Sequence, residues 1–332
     1  MEEAGIYRSK VEKKYIKKEK WRPKMIAQNV IAYILKKYKL DESNFLGKGQ
    51  EAEVYAYDHE RVLKIYKLAA YPKLKILKQF YESLNFSDVH FKLPKIHEII
   101  KEEHAILTIE KRIEGKNIQK DLSKYNEQEL DSFFENYLST ILSIQTIKLE
   151  NRIKGIKLLS DYEISSKDWY DFLKQSLLKK NIEVEGYLKK DVMDYEVKLN
   201  RILEGFSVKY EGVYSLVHGD YYPSNLLVNE NGQINGVIDF GLMTLYGDPL
   251  FDVALSWILF DLYDELGEVK LEKYLNKIVN TLGEEVRSTI HLYVLFYSIY
   301  SANFFSENCS DGHYQWSVRN LNNERFWIAL GN

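Results

Sequence analysis

The chain has 332 residues, a formal net charge of −3, 45% hydrophobic and 29% charged residues, and one cysteine. That is room for two lobes but not three domains, in a folded, water-soluble composition whose charge balance excludes bulk nucleic-acid binding. The lone Cys309 excludes an intrachain disulfide and fits a reducing compartment, and no charged-then-apolar leader opens the sequence, so a cytoplasmic location is expected.

Residues 8–24 are dominated by Lys and Arg, from Arg8 to Lys24, against only Glu12 and Glu19; residues 1–24 are expected to form a solvated basic extension. Pro23 suits the first turn of a helix whose Ile26, Val30, Ile31, Ile34 and Leu35 share one face. From Phe45 to Tyr55 the pattern predicts two strands around a turn holding Gly47 and Gly49, where glycines permit positive φ and close backbone approach. A third strand, Arg61–Tyr66, carries Lys64 on the face of Val62, opposite Leu63 and Ile65. A lysine among apolar residues must be paired or solvated. A helix opening near Pro72 bears Leu74, Leu77, Phe80 and Tyr81, with Glu82 beside them. Residues 91–100 read as a loop entering a strand, and Ala105–Ile109 as another strand that runs into Glu110, Arg112 and Gly115.

Beyond Asn117 the pattern turns helical. Leu130, Phe133, Phe134, Tyr137, Leu138 and Ile141 form a wide apolar stripe. Residues 161–204 are expected to give two helices separated near Ile182–Gly186, with Trp169, Tyr170 and Asp171 as candidates for a ligand wall or for core. Asp252 is expected to N-cap an apolar helix reaching Glu265, followed by helices over about 269–281 and 284–305. Ile290–Phe305 is interrupted by His291, Ser298, Ser301 and Asn303, too polar to span a bilayer. The tail residues Glu307, Asp311, His313, Tyr314, Trp316 and Trp327 suit either a cationic ligand or packing.

The densest chemical information lies in 215–241. Asp220 and Asn225 stand in a loop between the apolar runs Ser215–Val217 and Leu226–Val228; Asn231-Gly232 marks a hairpin turn, and Gly236-Val237-Ile238 leads to Asp239. A hairpin sets its strand ends side by side, which brings Asn225 next to Asp239. Two oxygen ligands with a further carboxylate suit a magnesium ion that holds phosphates while a hydroxyl is oriented for attack.

His218-Gly219-Asp220 with Asn225, then Ile238-Asp239-Phe240-Gly241, then Gly247-Asp248-Pro249 with Asp252, resemble in order and spacing the core of the aminoglycoside phosphotransferase family, relatives of protein kinases that phosphorylate small molecules. The resemblance implies a bilobal α+β, protein-kinase-like fold, with an antiparallel-sheet N-lobe over 25–112, a mainly helical C-lobe over 113–332 and a nucleotide between them. It implies Asp220 as the catalytic base, Asn225 and Asp239 as metal ligands for Mg2+, and Asp252 as a brace of the catalytic loop. It further implies that Gly47 and Gly49 cover the phosphates of ATP or GTP, and that Lys64 contacts them and pairs with a helical glutamate. Glu82 is the first acidic residue after Lys64. The run from Ile109 resembles the family's hinge, where the backbone of Glu110 and Arg112 would bond the base and Ile109 would line its pocket. Ala52 stands where protein kinases carry a third glycine.

Gly219 replaces the Arg usual in protein kinases, and the path from Asp239 to Pro249 is too short for a peptide-cradling activation segment. A small-molecule hydroxyl is therefore the expected acceptor, with neither nucleic acid nor membrane as partner. An aminoglycoside-type antibiotic leads; a macrolide, choline or methylthioribose remains open, as does a nucleotide-binding regulator without turnover. No His/Cys zinc pattern, G-x-S-x-G elbow or P-loop occurs.

Overall fold

A computed structural model describes residues 28–49, 52–66, 71–86, 89–149, 156–159, 164, 166–241, 243–260, 262 and 267–331. The basic segment 1–24 lies outside them, as do residues 50 and 51, which follow Gly49 in the sequence. Helix α1 (Gln28–Lys37) is followed by β1 (Phe45–Lys48), β2 (Ala52–Ala56), β3 (Arg61–Tyr66), α2 (Tyr71–Ser83), β4 (Leu84–Asn85), β5 (Ile96–Lys101) and β6 (Ile106–Lys111). Next come β7 (Lys116–Asn117), α3 (Glu127–Ile144), β8 (Lys148–Leu149), α4 (Trp169–Asp191) and α5 (Tyr195–Gly205). Strands β9 (Ser215–Val217), β10 (Leu226–Val228), β11 (Ile234–Val237) and β12 (Leu245–Gly247) lead into α6 (Leu250–Ile258), α7 (Glu268–Leu282), α8 (Val286–Tyr300), α9 (Gly312–Asn322) and α10 (Glu324–Ile328).

The chain forms two compact units, one running up to Tyr71 with His97–Glu110 added, the other holding Pro72–Ile96 and everything from Lys111 on. The first is a small sheet in the order β1-β2-β3-β6-β5, antiparallel where β1 meets β2 and β2 meets β3. Strand alternation sends Leu63, Ile65, Leu107 and Ile109 to one face, where they bury Ile34 and Leu35 of α1. The intervening Lys64, Thr108 and Glu110 are left to the opposite face.

The second unit is mainly helical, and the fold is α+β as expected. Helix α3 starts with a capping box, Asn126 accepting from the Glu129 N–H while the Glu129 side chain accepts from Asn126. Its Phe134 and Tyr137 meet Phe260 and Tyr274 in an aromatic core. Three small sheets, β11-β10-β7, β12-β9 and β4-β8, are set against these helices.

Three features depart from the sequence reading. Residues 72–96 cluster with the second unit, not with the sheet, because Phe80 and Tyr81 of α2 pack on Phe240 at ring separations of 5.7 and 6.2 Å. Helix α4 runs unbroken for 23 residues through Gly186, and the break falls at Asp194, whose φ of 53° is left-handed. Helix α6 starts at Leu250 after Pro249, so Asp252 sits in its first turn and does not cap it.

Candidate active site

Strand β9 delivers His218, Gly219 and Asp220, and α6 holds them from below. The Asp252 carboxylate accepts the backbone N–H of His218 at 2.6 Å and of Gly219 at 2.7 Å. Gly219 has φ +78°, and a Cβ there would lie 1.8 Å from the Met243 carbonyl oxygen, so only glycine fits. The Thr244 hydroxyl donates to the His218 carbonyl at 3.2 Å. His218 is fully buried; its Nε2–H donates to the Ile238 carbonyl at 2.9 Å and its Nδ1 accepts from the Asp220 N–H at 3.3 Å. Burial pushes this imidazole down to about 4, so it is neutral near pH 7 and ties the loop to the strand before Asp239.

Asp220 is half-buried. Desolvation, with a smaller contribution from the charge of Asp239, raises its carboxyl to about 6 against the opposing pull of Asn225. The Asn225 amide donates to the Asp220 carbonyl at 2.7 Å and to its carboxylate at 3.0 Å. Both partners are acceptors, which fixes Nδ2 toward them and leaves Oδ1, beside the Ser224 hydroxyl, as the oxygen able to meet a cation. The backbone joins in: the Ile238 N–H donates to the Asn225 carbonyl at 3.0 Å, continuing the β10–β11 pairing of Leu226 with Val237. Asp239 follows at once, its side chain exposed and its φ of 63° turning the chain out of the hairpin. Phe240 then packs on the His218 ring at 4.3 Å.

Among the described residues no group of three or more His, Cys, Asp or Glu is placed to hold a metal. The oxygens that could meet a magnesium ion here are Asn225 Oδ1 and the exposed Asp239 carboxylate, and that ion takes one or two protein oxygens and completes its shell with water and phosphate.

In the first unit, Lys64 points from β3 to Glu110 on β6, Nζ to Oε2 at 3.0 Å. Glu110 is almost wholly buried, and its other oxygen accepts from Thr108 at 2.6 Å and Tyr66 at 3.1 Å. Glu82, the first acidic residue after Lys64 and expected either as its partner or as an exposed helical glutamate, lies on α2 3.9 Å from Lys78. Counting acidic residues along the chain misses Glu110 because β6 is inserted next to β3 in the sheet. The expectation that Ile109 lines a base pocket is corrected too: alternation sends it into the core under α1, on the face away from Lys64. Gly47 lies within β1, paired with Val54, and Gly49 just past its end, neither with left-handed φ; space is open around Gly47, and the Gly49 N–H donates to the Ala52 carbonyl at 2.9 Å. Arg112, half-buried, lies just past the end of β6.

Several candidates for an acceptor wall are structural. Trp169 is fully buried; its indole donates to Tyr293, and Tyr293 donates to Asp248 at 2.5 Å. A Cβ on Gly247 would lie 2.1 Å from the Trp169 ring, so the Gly247-Asp248-Pro249 run is a packing element. Tyr221 is buried whereas Tyr222 is only half-buried. Tyr314, Trp316 and Trp327 are core, and Asp311 caps α9 by accepting from the Tyr314 N–H.

A half-buried carboxylate tied to an asparagine, followed across a hairpin by a second carboxylate, is the arrangement of a kinase-type phosphotransferase. The sequence profile of the Phosphotransferase enzyme family matches residues 43–281, and the chain belongs to that family. Among similar solved structures is a thermostable mutant of aminoglycoside phosphotransferase APH(4)-Ia in ternary complex with ADP and hygromycin B. It is 18% identical over 92% of this chain and 99% of its own, with a TM-score of 0.65. The gentamicin complex of APH(2")-IIa is 20% identical over 89% and 95%, with a TM-score of 0.59. ADP-bound APH(2'')-Ib is 21% identical over 89% and 96%, with a TM-score of 0.56. At these identities the likeness shows a shared fold. Among the described residues, no helix is long and apolar enough to cross a membrane.

Proposed function

We propose that this protein is a magnesium-dependent kinase that moves the γ-phosphoryl group of ATP or GTP to a hydroxyl of a small molecule in the cytoplasm. The leading acceptor class is an aminoglycoside-type antibiotic, which would make it a resistance enzyme. The observation that carries the reading is the Asn225 side-chain amide donating to both the backbone carbonyl and the carboxylate of Asp220, while the Asn225 backbone carbonyl accepts the Ile238 N–H just before Asp239. One residue thereby couples a proton acceptor to a metal-binding carboxylate.

Asp220 accepts the hydrogen bond of the acceptor hydroxyl and takes its proton at or after the transition state. Asn225 Oδ1 and Asp239 would hold magnesium, which when bound neutralises charge on the phosphates. Lys64, anchored by Glu110, contributes positive charge to the phosphates, and the backbone of Glu110 and Arg112 is the reading for the base. Gly47 and Gly49 would leave the β1–β2 turn bare for phosphate oxygens. His218 and Asp252 move no proton to substrate; they hold Asp220 still, which matters because positioning and charge neutralisation supply most of the acceleration in such transfers.

The test is turnover with ATP and with GTP against a panel of aminoglycosides, macrolides and small alcohols. Phosphorylation of an aminoglycoside, lost in Asp220→Ala, is expected. Nucleotide binding without transfer to any member of the panel would overturn the resistance reading.

A further inference from the structure

We propose that Tyr137, on α3 and outside every motif above, is a positioning residue that sets the Asp220 carboxylate through the backbone of the catalytic loop. The proposal rests on the reading of Asp220 as the proton acceptor.

Tyr137 is fully buried, and its hydroxyl lies 3.2 Å from the Tyr221 carbonyl and 3.4 Å from that of Ser256. Tyr221, the residue after Asp220, returns the bond: its hydroxyl donates to the Tyr137 carbonyl at 2.9 Å, and the two rings stack at 4.8 Å. The exchange clamps Tyr221, the residue after the reactive carboxylate, at two points, its carbonyl and its ring hydroxyl. One residue earlier on α3, the Asn136 side-chain oxygen accepts the Ile234 N–H at 2.7 Å, at the start of the strand that leads to Asp239. A single helix therefore grips the loop bearing Asp220 and the strand delivering Asp239, and fixes the two carboxylates relative to each other. A buried hydroxyl meeting a carbonyl in a dry core is directional and hard to replace. A base must meet its proton within hydrogen-bond reach, so a small displacement of Asp220 lowers the rate of transfer without weakening nucleotide binding.

Tyr137→Phe removes the hydroxyl and keeps the ring. Tyr274→Phe is the comparator: it removes a hydroxyl from the same aromatic core, one that bonds the Ser256 hydroxyl at 3.1 Å and not the loop. The measurement is ADP release from magnesium-ATP with water as acceptor, together with the KM for ATP and the thermal midpoint. Tyr137→Phe is expected to lower kcat about tenfold or more with KM within about twofold of wild type, while Tyr274→Phe loses a comparable midpoint and keeps kcat within about twofold. A Tyr137→Phe kcat at the wild-type value, or an equal fall in Tyr274→Phe, overturns the proposal. If the wild type releases no ADP with water, the same comparison is made with the panel member it phosphorylates, and transfer to no acceptor at all overturns the proposed function and this proposal with it. Undiminished release by Asp220→Ala would instead overturn the role of Asp220 on which the proposal stands.

Discussion

Asp252 holds His218 by its backbone: one carboxylate oxygen accepts the His218 N–H at 2.6 Å, and the other takes the N–H of Gly219 at 2.7 Å. Both oxygens are needed, and an amide offers only one acceptor. Asp252→Asn would set an NH2 group against one of these N–H donors, leaving it buried and unpaired. The expected loss is about 1–3 kcal/mol of stability in urea unfolding, with turnover falling further than nucleotide affinity. Wild-type unfolding and turnover would show that the brace is dispensable.

The Lys64–Glu110 pair makes a prediction that separates two glutamates. Glu110→Gln keeps the shape and removes the charge that orients Lys64, so nucleotide affinity measured by calorimetry is expected to weaken by about tenfold, and Lys64→Met by more. Glu82→Gln, on its exposed turn of α2, is expected to change affinity by less than about twofold. The reverse ranking would restore Glu82 as the partner.

His218 gives a pH dependence with a definite sign. Its folded pKa, about 4, lies below its ordinary 6.5, so between these values the unfolded chain binds more protons than the native one. Its contribution to stability therefore rises with pH from about 4 to 6.5 and is flat above, amounting to about 3 kcal/mol. Asp220 and Asp252, raised to about 6 and about 7, act in the opposite sense, their cost growing as pH rises. The clean measurement is the stability difference between wild type and His218→Asn across pH 4–8. A difference independent of pH would mean that the imidazole is not held neutral.

Gly219→Ala tests the loop conformation. The left-handed φ and the 1.8 Å approach to the Met243 carbonyl oppose any side chain there, and backbone cannot step aside as a side-chain tip can. At least about 2 kcal/mol of stability should be lost, with turnover reduced to background. An alanine variant with full turnover would show that the loop has a second working conformation.

Asp239→Asn probes the metal role. Nucleotide affinity in the presence of magnesium should fall by about tenfold or more, while affinity in EDTA stays unchanged. Equal affinities for both proteins in magnesium would remove Asp239 from the metal site.

The backbone of the proposed catalytic stretch was legible because its contacts are local. Asp220, Asn225 and Asp239 lie on one loop and one hairpin, so spacing alone brings the last two together, and the Ile238 N–H to Asn225 bond is the form this takes. What failed depended on non-local order. Glu110 reaches Lys64 through strand insertion, and Ile109 leaves the expected pocket because its neighbour Glu110 occupies the opposite face. Trp169 was open between a ligand wall and core, and its packing against Gly247 settles on core only once α4 and β12 are placed. Tyr137 was legible as core, but nothing in its helical periodicity marks a hydroxyl that meets the Tyr221 carbonyl.

Downstream of Asp239 the described residues are closely tied to the strand before the catalytic loop. Thr244 closes a turn on Gly241 from both its N–H and its hydroxyl, and Leu245, Tyr246 and Gly247 are zipped to Val217, Leu216 and Ser215, the strand that feeds the catalytic loop. Protein kinases switch themselves by swinging the corresponding segment between conformations. Here the same motion would unpair β9 from β12 and remove the Thr244 hydroxyl from the His218 carbonyl.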